Sequence, residues 1–367
     1  MRVLRIDDRS PYRQLIGVGG VGTGIFFDLE GNRTLGRNES RLGRLLDVRD
    51  YCKLHIVIHY VAKFLGAHPS GSPFHILPVG RVGADDAGCK VIEEMKAVGI
   101  DTIRVLTTPD RRTLFSVCFQ YPDGTGGNIT TSNSAAGTLC EADLEGVSES
   151  LKLAGRRGIA LAVPEVPLEL RFHFLQSATQ AGAFRAASFA QAEVAAAKQL
   201  GLFNHLDLVA LNEEEAAEFL GLPFSPENPR EFVSKCQEHL RSQLPHLSMI
   251  ISAGRGGAYG LTSDTFQHCP APEVDVASSA GAGDSLLGGV LAALAAGLPL
   301  VKSDSLVADR SIQSALQMGV WLASYKCLSP HTIHPSADLE TLSNFVADRC
   351  YSFSPQVREL IAGQAES

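Results

Sequence analysis

Ser278-Ser279-Ala280-Gly281-Ala282-Gly283-Asp284-Ser285 is the stretch that decides how this chain is read. It stands between an extended run, Glu273 to Ala277, and an Ala/Leu-rich helix, Leu286 to Ala296. Small residues let the backbone turn tightly, so several N–H groups converge at a helix N-terminus. Amides and the positive end of a helix dipole together make an anion site. The carboxylate of Asp284 lies in the same turn. An anion hole with a built-in base suits phosphoryl transfer to a hydroxyl. A plainer reading stands beside it: Asp is a favoured helix cap, and the glycines simply make the turn.

On either side of this stretch, strand and helix patterns alternate. Leu15 to Gly19, His75 to Val79, Thr102 to Leu106 and Leu114 to Phe119 read as strands, as do Ile159 to Val163, Leu206 to Leu211 and Ser248 to Ser252. Lys53 to Leu65 reads as a helix ended by Gly66, and Asp86 to Val98 as one closed by Gly99. Pro167 to Ala181, Glu213 to Leu220, Pro229 to Leu240 and Ser311 to Tyr325 read as further helices. Such alternation predicts an α/β protein with a mostly parallel sheet and helices on both faces. Ligands then bind beyond the C-terminal strand ends. Thr23 to Asp50 and Tyr121 to Ala136 break the pattern and suit a small lid. Residues 1–351 are expected to form a single domain with lid segments near 20–50 and 110–135. Residues 352–367 form a polar tail that should fray.

Bulk composition narrows the function. The 367 residues are 45% hydrophobic and 20% charged, as in ordinary soluble enzymes. A net charge of −8, with basic residues at most paired, argues against nucleic acid or an anionic membrane as partner. Eight cysteines show no C-x-x-C spacing and read as buried, reduced thiols, which fits the cytoplasm. The opening MRVLRIDDRS does not read as a signal peptide, and Leu286 to Leu300 reads as too short to span a bilayer.

Other segments carry candidate chemistry. Gly17-Val18-Gly19-Gly20-Val21-Gly22 fits a dinucleotide fingerprint, with Glu39 about 20 residues on. The glycines and asparagine that follow (Gly24, Gly31, Asn32, Gly36) oppose the helix that fingerprint needs, so it reads as a turn. Neither a P-loop nor a protein-kinase signature is present. Asn212-Glu213-Glu214-Glu215 fits a capping box, or a pair that holds magnesium through water. Ser252-Ala253-Gly254-Arg255-Gly256-Gly257 fits a turn between strands, or close backbone approach to a nucleotide. His55 and His59 share a helix face and read as packing.

Taken in order, Gly83-Ala84-Asp85-Asp86-Ala87-Gly88, Asn212-x-x-Glu215, Ser252-x-Gly254-x-x-Gly257 and Gly281-Ala282-Gly283-Asp284 resemble the ribokinase-like (PfkB-type) carbohydrate kinase family. The likeness runs from about Leu15 to Pro335. It implies a three-layer α/β/α sandwich with a small β-rich lid. It also implies ATP-dependent transfer of the γ-phosphoryl to a hydroxymethyl group of a sugar or sugar derivative. By motif position, Asp284 is the general base, and Gly281, Ala282, Gly283 and Asp284 form the anion hole. Asn212 and Glu215 position phosphate and Mg2+, with Glu215 reaching the metal through water. Ser252, Gly254 and Gly257 line ATP, and Ala315 to Gly319 lie near the adenine. A monovalent cation such as K+ beside the anion hole and a homodimer are further features it implies. A nucleoside kinase of the same fold, or a non-catalytic nucleotide- or metabolite-binding protein, are the alternatives.

Departures fall on the substrate side. Many members carry Gly-Gly-x-x-x-Asn before the first long helix; Cys52, Lys53 and Val57 stand at those positions here. An aspartate often follows the first strand; here the region is Gly22-Thr23-Gly24, with Asp28 the nearest carboxylate. The anion loop often opens Asp-Thr and here opens Ser278-Ser279. Lys53, and Asn128 with Thr130 hanging from the lid, are the candidate contacts to a sugar-like substrate.

Overall fold

The computed structural model describes residues 2–123, 125–225, 227–302 and 310–362. The first half contains β1 (Val3–Leu4), β2 (Gln14–Val18), β3 (Gly22–Leu29), β4 (Gly43–Tyr51), α1 (Lys53–Leu65), β5 (His75–Gly83), α2 (Asp86–Ala97), β6 (Val105–Thr108), β7 (Leu114–Gln120), β8 (Gly126–Thr130) and α3 (Glu145–Ala154). Next come β9 (Gly158–Ala162), α4 (Leu168–Ala181), β10 (Phe184–Ser188), α5 (Gln191–Gln199), β11 (Leu208–Asn212), α6 (Glu213–Leu220), α7 (Pro229–Gln243) and β12 (Ser248–Ser252). The rest contains β13 (Ala258–Leu261), β14 (Phe266–Cys269), α8 (Ala282–Ala295), β15 (Ser311–Ile312), α9 (Ala315–Lys326), α10 (Leu339–Ala347), β16 (Ser352–Phe353), α11 (Pro355–Glu359) and β17 (Ile361–Ala362).

Nine strands form the main sheet in the order β14-β13-β12-β11-β10-β9-β2-β5-β6. From β12 to β6 every neighbour is parallel; β13 and β14 close one edge antiparallel. Side chains alternate across the strands and so serve two cores. Leu15, Ile76, Ile159, Leu208 and Ile250 face α1, α8 and α9. Ile16, Leu77, Ala160, Val209 and Ile251 face the layer of α3 to α7. A second, four-stranded sheet, β4-β3-β7-β8, is the lid.

The glycines after β2 are needed for packing. No helix follows them; the chain turns directly into β3, so the dinucleotide fingerprint lacks its helix. A Cβ at Gly22 would collide with the Leu114 carbonyl, and one at Gly19 with the Val163 side chain. Asp85 ties lid to body. Its carboxylate accepts from the amides of Gly88 and Thr113, both at 2.9 Å, and from the Thr113 hydroxyl. Burial opposes ionisation there, but the Thr113 and Gly88 bonds hold Asp85 below its ordinary value.

Several expectations need correction. Glu273 to Ala277 forms no strand; it is irregular chain tied by the Ala277 amide to the Cys327 carbonyl at 2.8 Å. The following helix starts at Ala282, not Leu286. Residues 352–362 are not a frayed tail: β16 pairs with β15, β17 pairs with β1, and Phe353 and Val357 are buried. The remainder of the expected tail, residues 363–367, lies outside the described residues. Cys52, Cys236 and Cys269 are buried free thiols, but Cys89, Cys140 and Cys350 are exposed. Among the described residues no helix is long and apolar enough to cross a membrane.

Candidate active site

The anion turn is built by a left-handed glycine. Gly281 is the N-cap of α8 with φ 78° and ψ 3°, a conformation that costs other residues a steric penalty. The Ala282 amide donates to the Ser279 carbonyl at 3.1 Å, closing the turn. The Ser285 amide and hydroxyl both donate to the Gly281 carbonyl, at 2.9 and 2.7 Å. Among the described residues nothing accepts from the amides of Gly281, Gly283 and Asp284. These are the donors a helix start leaves open to an anion. Nothing lies within 4 Å of a Cβ placed on Gly283, so the turn opens onto free space.

Asp284 sits at the third helical position and does not cap the helix. Its side chain is 13% exposed, and its closest charged partner is the Lys53 ammonium at 3.8 Å. That distance makes an ion pair but no hydrogen bond. Asp284, with Glu165 and Glu215, holds Lys53 above its ordinary value against burial. Lys53 begins α1. Val57, at the expected asparagine position, is fully buried in the core, and its carbonyl abuts Gly288 of α8.

Lys53 lines a cavity of about 730 Å³ with Asn128 and Thr130 from the lid and Glu165, Glu193 and Glu215 from the body. The body residues follow the C-terminal ends of β9, β10 and β11, the side on which parallel sheets place ligands. Asn212 and Glu215 form the capping box: the Asn212 side chain accepts from the Glu215 amide and the Glu215 carboxylate from the Asn212 amide, both at 2.8 Å. Burial raises the Glu215 carboxyl. Glu193 is held by the fully buried Arg171 at 2.7 Å.

Ser252 is the register partner of Asn212 at the ends of β12 and β11. Gly254 has φ 49°, and a Cβ built there would have nothing within 4 Å, so it faces open space. Gly257 is glycine for a packing reason: a Cβ there would collide with the Cys269 carbonyl. Ala315, Leu316 and Met318 are buried, and a Cβ on Gly289 would lie 3.0 Å from the Gly319 Cα, so this part of α9 packs on α8. His55 is buried beside Tyr51 and His59, with neither ring nitrogen bonded. Among the described residues no group of three or more His, Cys, Asp or Glu is arranged to hold a metal.

Three charged residues of this region escape sequence reasoning. Glu165 follows β9 with φ 78°, a strained conformation for a non-glycine residue. Its carboxylate accepts from the Lys53 amide at 3.2 Å. Asp50 is buried on β4 directly over its cross-strand partner Gly24, where any Cβ would collide with the Asp50 Oδ2. Cys118 donates to the same oxygen at 3.4 Å. Burial raises Asp50 to about 6. Asp28, the nearest carboxylate in sequence, is instead paired with Arg44 on the lid. Lys326, the third, is fully buried at the end of α9 and donates to the Ser278 carbonyl at 2.9 Å. No local signal in the sequence marks any of the three.

Glu165 gives the site a pH signature. Burial raises its carboxyl to about 7, with Lys53 opposing. The folded value exceeds the unfolded one, so the contribution to stability is complete below about 4.5 and is lost as pH rises through about 7. Glu165→Gln cannot ionise. Its thermal midpoint relative to the parent protein is therefore expected to rise between about pH 5 and about pH 8, measured by thermal denaturation. A relative midpoint that stays flat or falls would contradict the assignment.

The profile of the pfkB family carbohydrate kinases matches residues 74–339. Solved structures share the fold at low identity. Giardia lamblia ribokinase superposes with a TM-score of 0.73 at 15% identity, covering 92% of this chain and 99% of that one. Ribokinase from Cryptococcus neoformans var. grubii serotype A, in complex with ADP, gives 0.70 at 18% identity, covering 91% and 99%. Arabidopsis thaliana ribokinase, complexed with ribose and ATP, gives 0.65 at 18%, again covering 91% and 99%. No curated protein matches in sequence.

Proposed function

Because the chain belongs to the pfkB family of carbohydrate kinases, we propose that it transfers the γ-phosphoryl of ATP to a hydroxymethyl group of a neutral, polyhydroxylated acceptor, with Asp284 as the general base. One observation carries this reading. A carboxylate free of hydrogen bonds stands in the same turn as three amides without acceptors among the described residues. At 3.8 Å Lys53 supplies positive charge to Asp284 and leaves its oxygens open to a substrate hydroxyl. The base takes the hydroxyl proton, and the amides of Gly281, Gly283 and Asp284 hold the phosphoryl oxygens as charge moves across them. Phosphoryl transfer needs little else than this positioning and charge stabilisation.

The residues fit magnesium and nucleotide without a dedicated metal cage. Mg2+ keeps several waters and takes most other ligands from phosphates, so the single carboxylate of Glu215 suffices on the protein side. Bound with ATP, the ion neutralises phosphate charge. Asn212 and Ser252, side by side at neighbouring strand ends, and the open backbone at Gly254 are suited to the nucleotide. Segments 20–50 and 110–135 serve as the lid, which brings Asn128 and Thr130 to the acceptor.

The acceptor's neutrality follows from charge. Among the described residues Lys53 is the one cation lining the cavity, and Asp284, Glu165 and Glu215 already act on it. An anionic acceptor would face uncompensated carboxylates at close range. Hydroxyls, by contrast, donate well to Glu165 and Glu193 and accept from Asn128. ADP release from Mg-ATP is expected with neutral sugars or nucleosides and not with sugar acids or sugar phosphates. Turnover confined to the acids would overturn the acceptor assignment. ATP binding without ADP release for any acceptor would favour a nucleotide-binding role instead.

A further inference from the structure

The family resemblance implies a monovalent cation beside the anion hole, and the residues beside this loop do not fit one. The loop carbonyl of Ser278 already accepts from the Lys326 ammonium at 2.9 Å. Lys326 is fully buried, and no carboxylate lies within ion-pair distance of it among the described residues. The Ala277 and Ser278 amides both donate to the Cys327 carbonyl, at 2.8 and 3.4 Å, so the end of α9 and the start of the loop are clasped together. A desolvated ammonium with one neutral acceptor is a costly arrangement. It is tolerable where carboxylates act on it through a low dielectric, and Asp50 and Asp284 do so here. Burial pushes Lys326 down to about 8, which leaves it charged at neutral pH. Potassium and an ammonium ion carry equal charge and both bind carbonyl oxygens. The lysine therefore puts inside the chain what a bound ion would otherwise supply.

We propose that the Lys326 ammonium is the resident cation of the anion loop, fixing the Ser278–Gly281 turn and making the protein indifferent to added potassium. The assignment rests on the kinase reading for its catalytic consequence, but not for its structural one. Lys326 touches the loop, not the reacting atoms, and is a positioning residue.

The test compares potassium with tetramethylammonium at constant ionic strength, reading thermal midpoint and ADP release. The parent protein is expected to give the same midpoint and turnover in both salts. Lys326→Ala is expected to lose about 10²-fold in turnover, the scale of one removed preorganised electrostatic contact. It should recover part of that loss, and gain in midpoint, with potassium or ammonium but not with tetramethylammonium. Lys326→Arg should remain indifferent to potassium. A parent protein stabilised or activated by potassium would overturn the assignment, and that outcome needs no variant to fold. So would a Lys326→Ala protein that is fully active in both salts, or one whose loss neither ion restores. If no acceptor supports ADP release, the kinase reading falls. The midpoint response of parent and variant to potassium still decides the lysine's role.

Discussion

Asp284→Asn is expected to lower phosphoryl transfer by about 10²–10⁴-fold while leaving the fold and ATP binding intact. Asparagine keeps the shape of the side chain and cannot accept the hydroxyl proton. The fold should be kept, because Asp284 caps no helix and accepts no hydrogen bond among the described residues, its close charged partner being Lys53 at 3.8 Å. A helix cap at this position would behave in the opposite way: asparagine would replace aspartate with little cost. The two readings left open by the sequence thus separate in one variant. The measurement is steady-state ADP release beside a thermal midpoint and an ATP titration. The thermal midpoint should fall, because the variant removes a carboxylate that acts on Lys53 and on the buried Lys326, while a folded, ATP-binding protein remains.

Gly281→Ala is expected to cost about 10²–10³-fold in turnover and about 1–2 kcal/mol of stability. The residue has φ 78°, and an added Cβ would lie 2.6 Å from the Thr332 carbonyl, a backbone atom that cannot swing away. Thr332 also receives the Tyr51 amide on its hydroxyl at 3.0 Å and donates its own amide to the Arg49 carbonyl at 3.1 Å. Displacing it therefore disturbs the junction with lid strand β4 as well as the anion turn. Gly283→Ala is the matched control for stability. It lacks a positive φ and has nothing within 4 Å, so its thermal midpoint should stay close to that of the parent protein. Equal destabilisation of the two variants would show that the turn is not held as described.

What could be read from the sequence depended on whether local pattern or tertiary placement decided each feature. The α1 helix was legible to the residue, because an apolar run met Gly66, which adopts the left-handed cap with φ 64°. Likewise α6 was bounded by its capping box and Gly221. The β10–α5 unit was missed. Phe184–Ser188 and Gln191–Gln199 are rich in alanine, which marks neither strand nor amphipathic helix. Their assignment comes from β10 lying between β9 and β11, where small side chains fit. Glu273 to Ala277 alternates like a strand but pairs with no sheet, because its end is tied instead to the end of α9 through the Cys327 carbonyl.

The site divides along the same line. The anion turn and the capping box are contiguous motifs, and their residues lie where their spacing implies. Glu165, Asp50 and Lys326 are single charged residues whose burial arises only when separate elements meet. Glu165 meets Lys53 across β9 and α1; Asp50 fills the space above Gly24 across the lid; Lys326 reaches the loop from the far end of α9. No local period marks such residues, because a charge in sequence is most often a solvated one. The same three residues surround the positions at which the chain departs from its family, so the substrate side was the less legible half.

The most direct test of the central claim, that Asp284 is the base of an ATP-dependent kinase, is ADP release by the parent protein and by Asp284→Asn. Both would be assayed with Mg-ATP and a panel of neutral sugars and nucleosides, under conditions where ATP binding is verified for each. The expected result is acceptor-dependent ADP release by the parent protein and a loss of about 10²-fold or more in the variant, with ATP affinity unchanged. Undiminished acceptor-dependent turnover in Asp284→Asn would contradict the account.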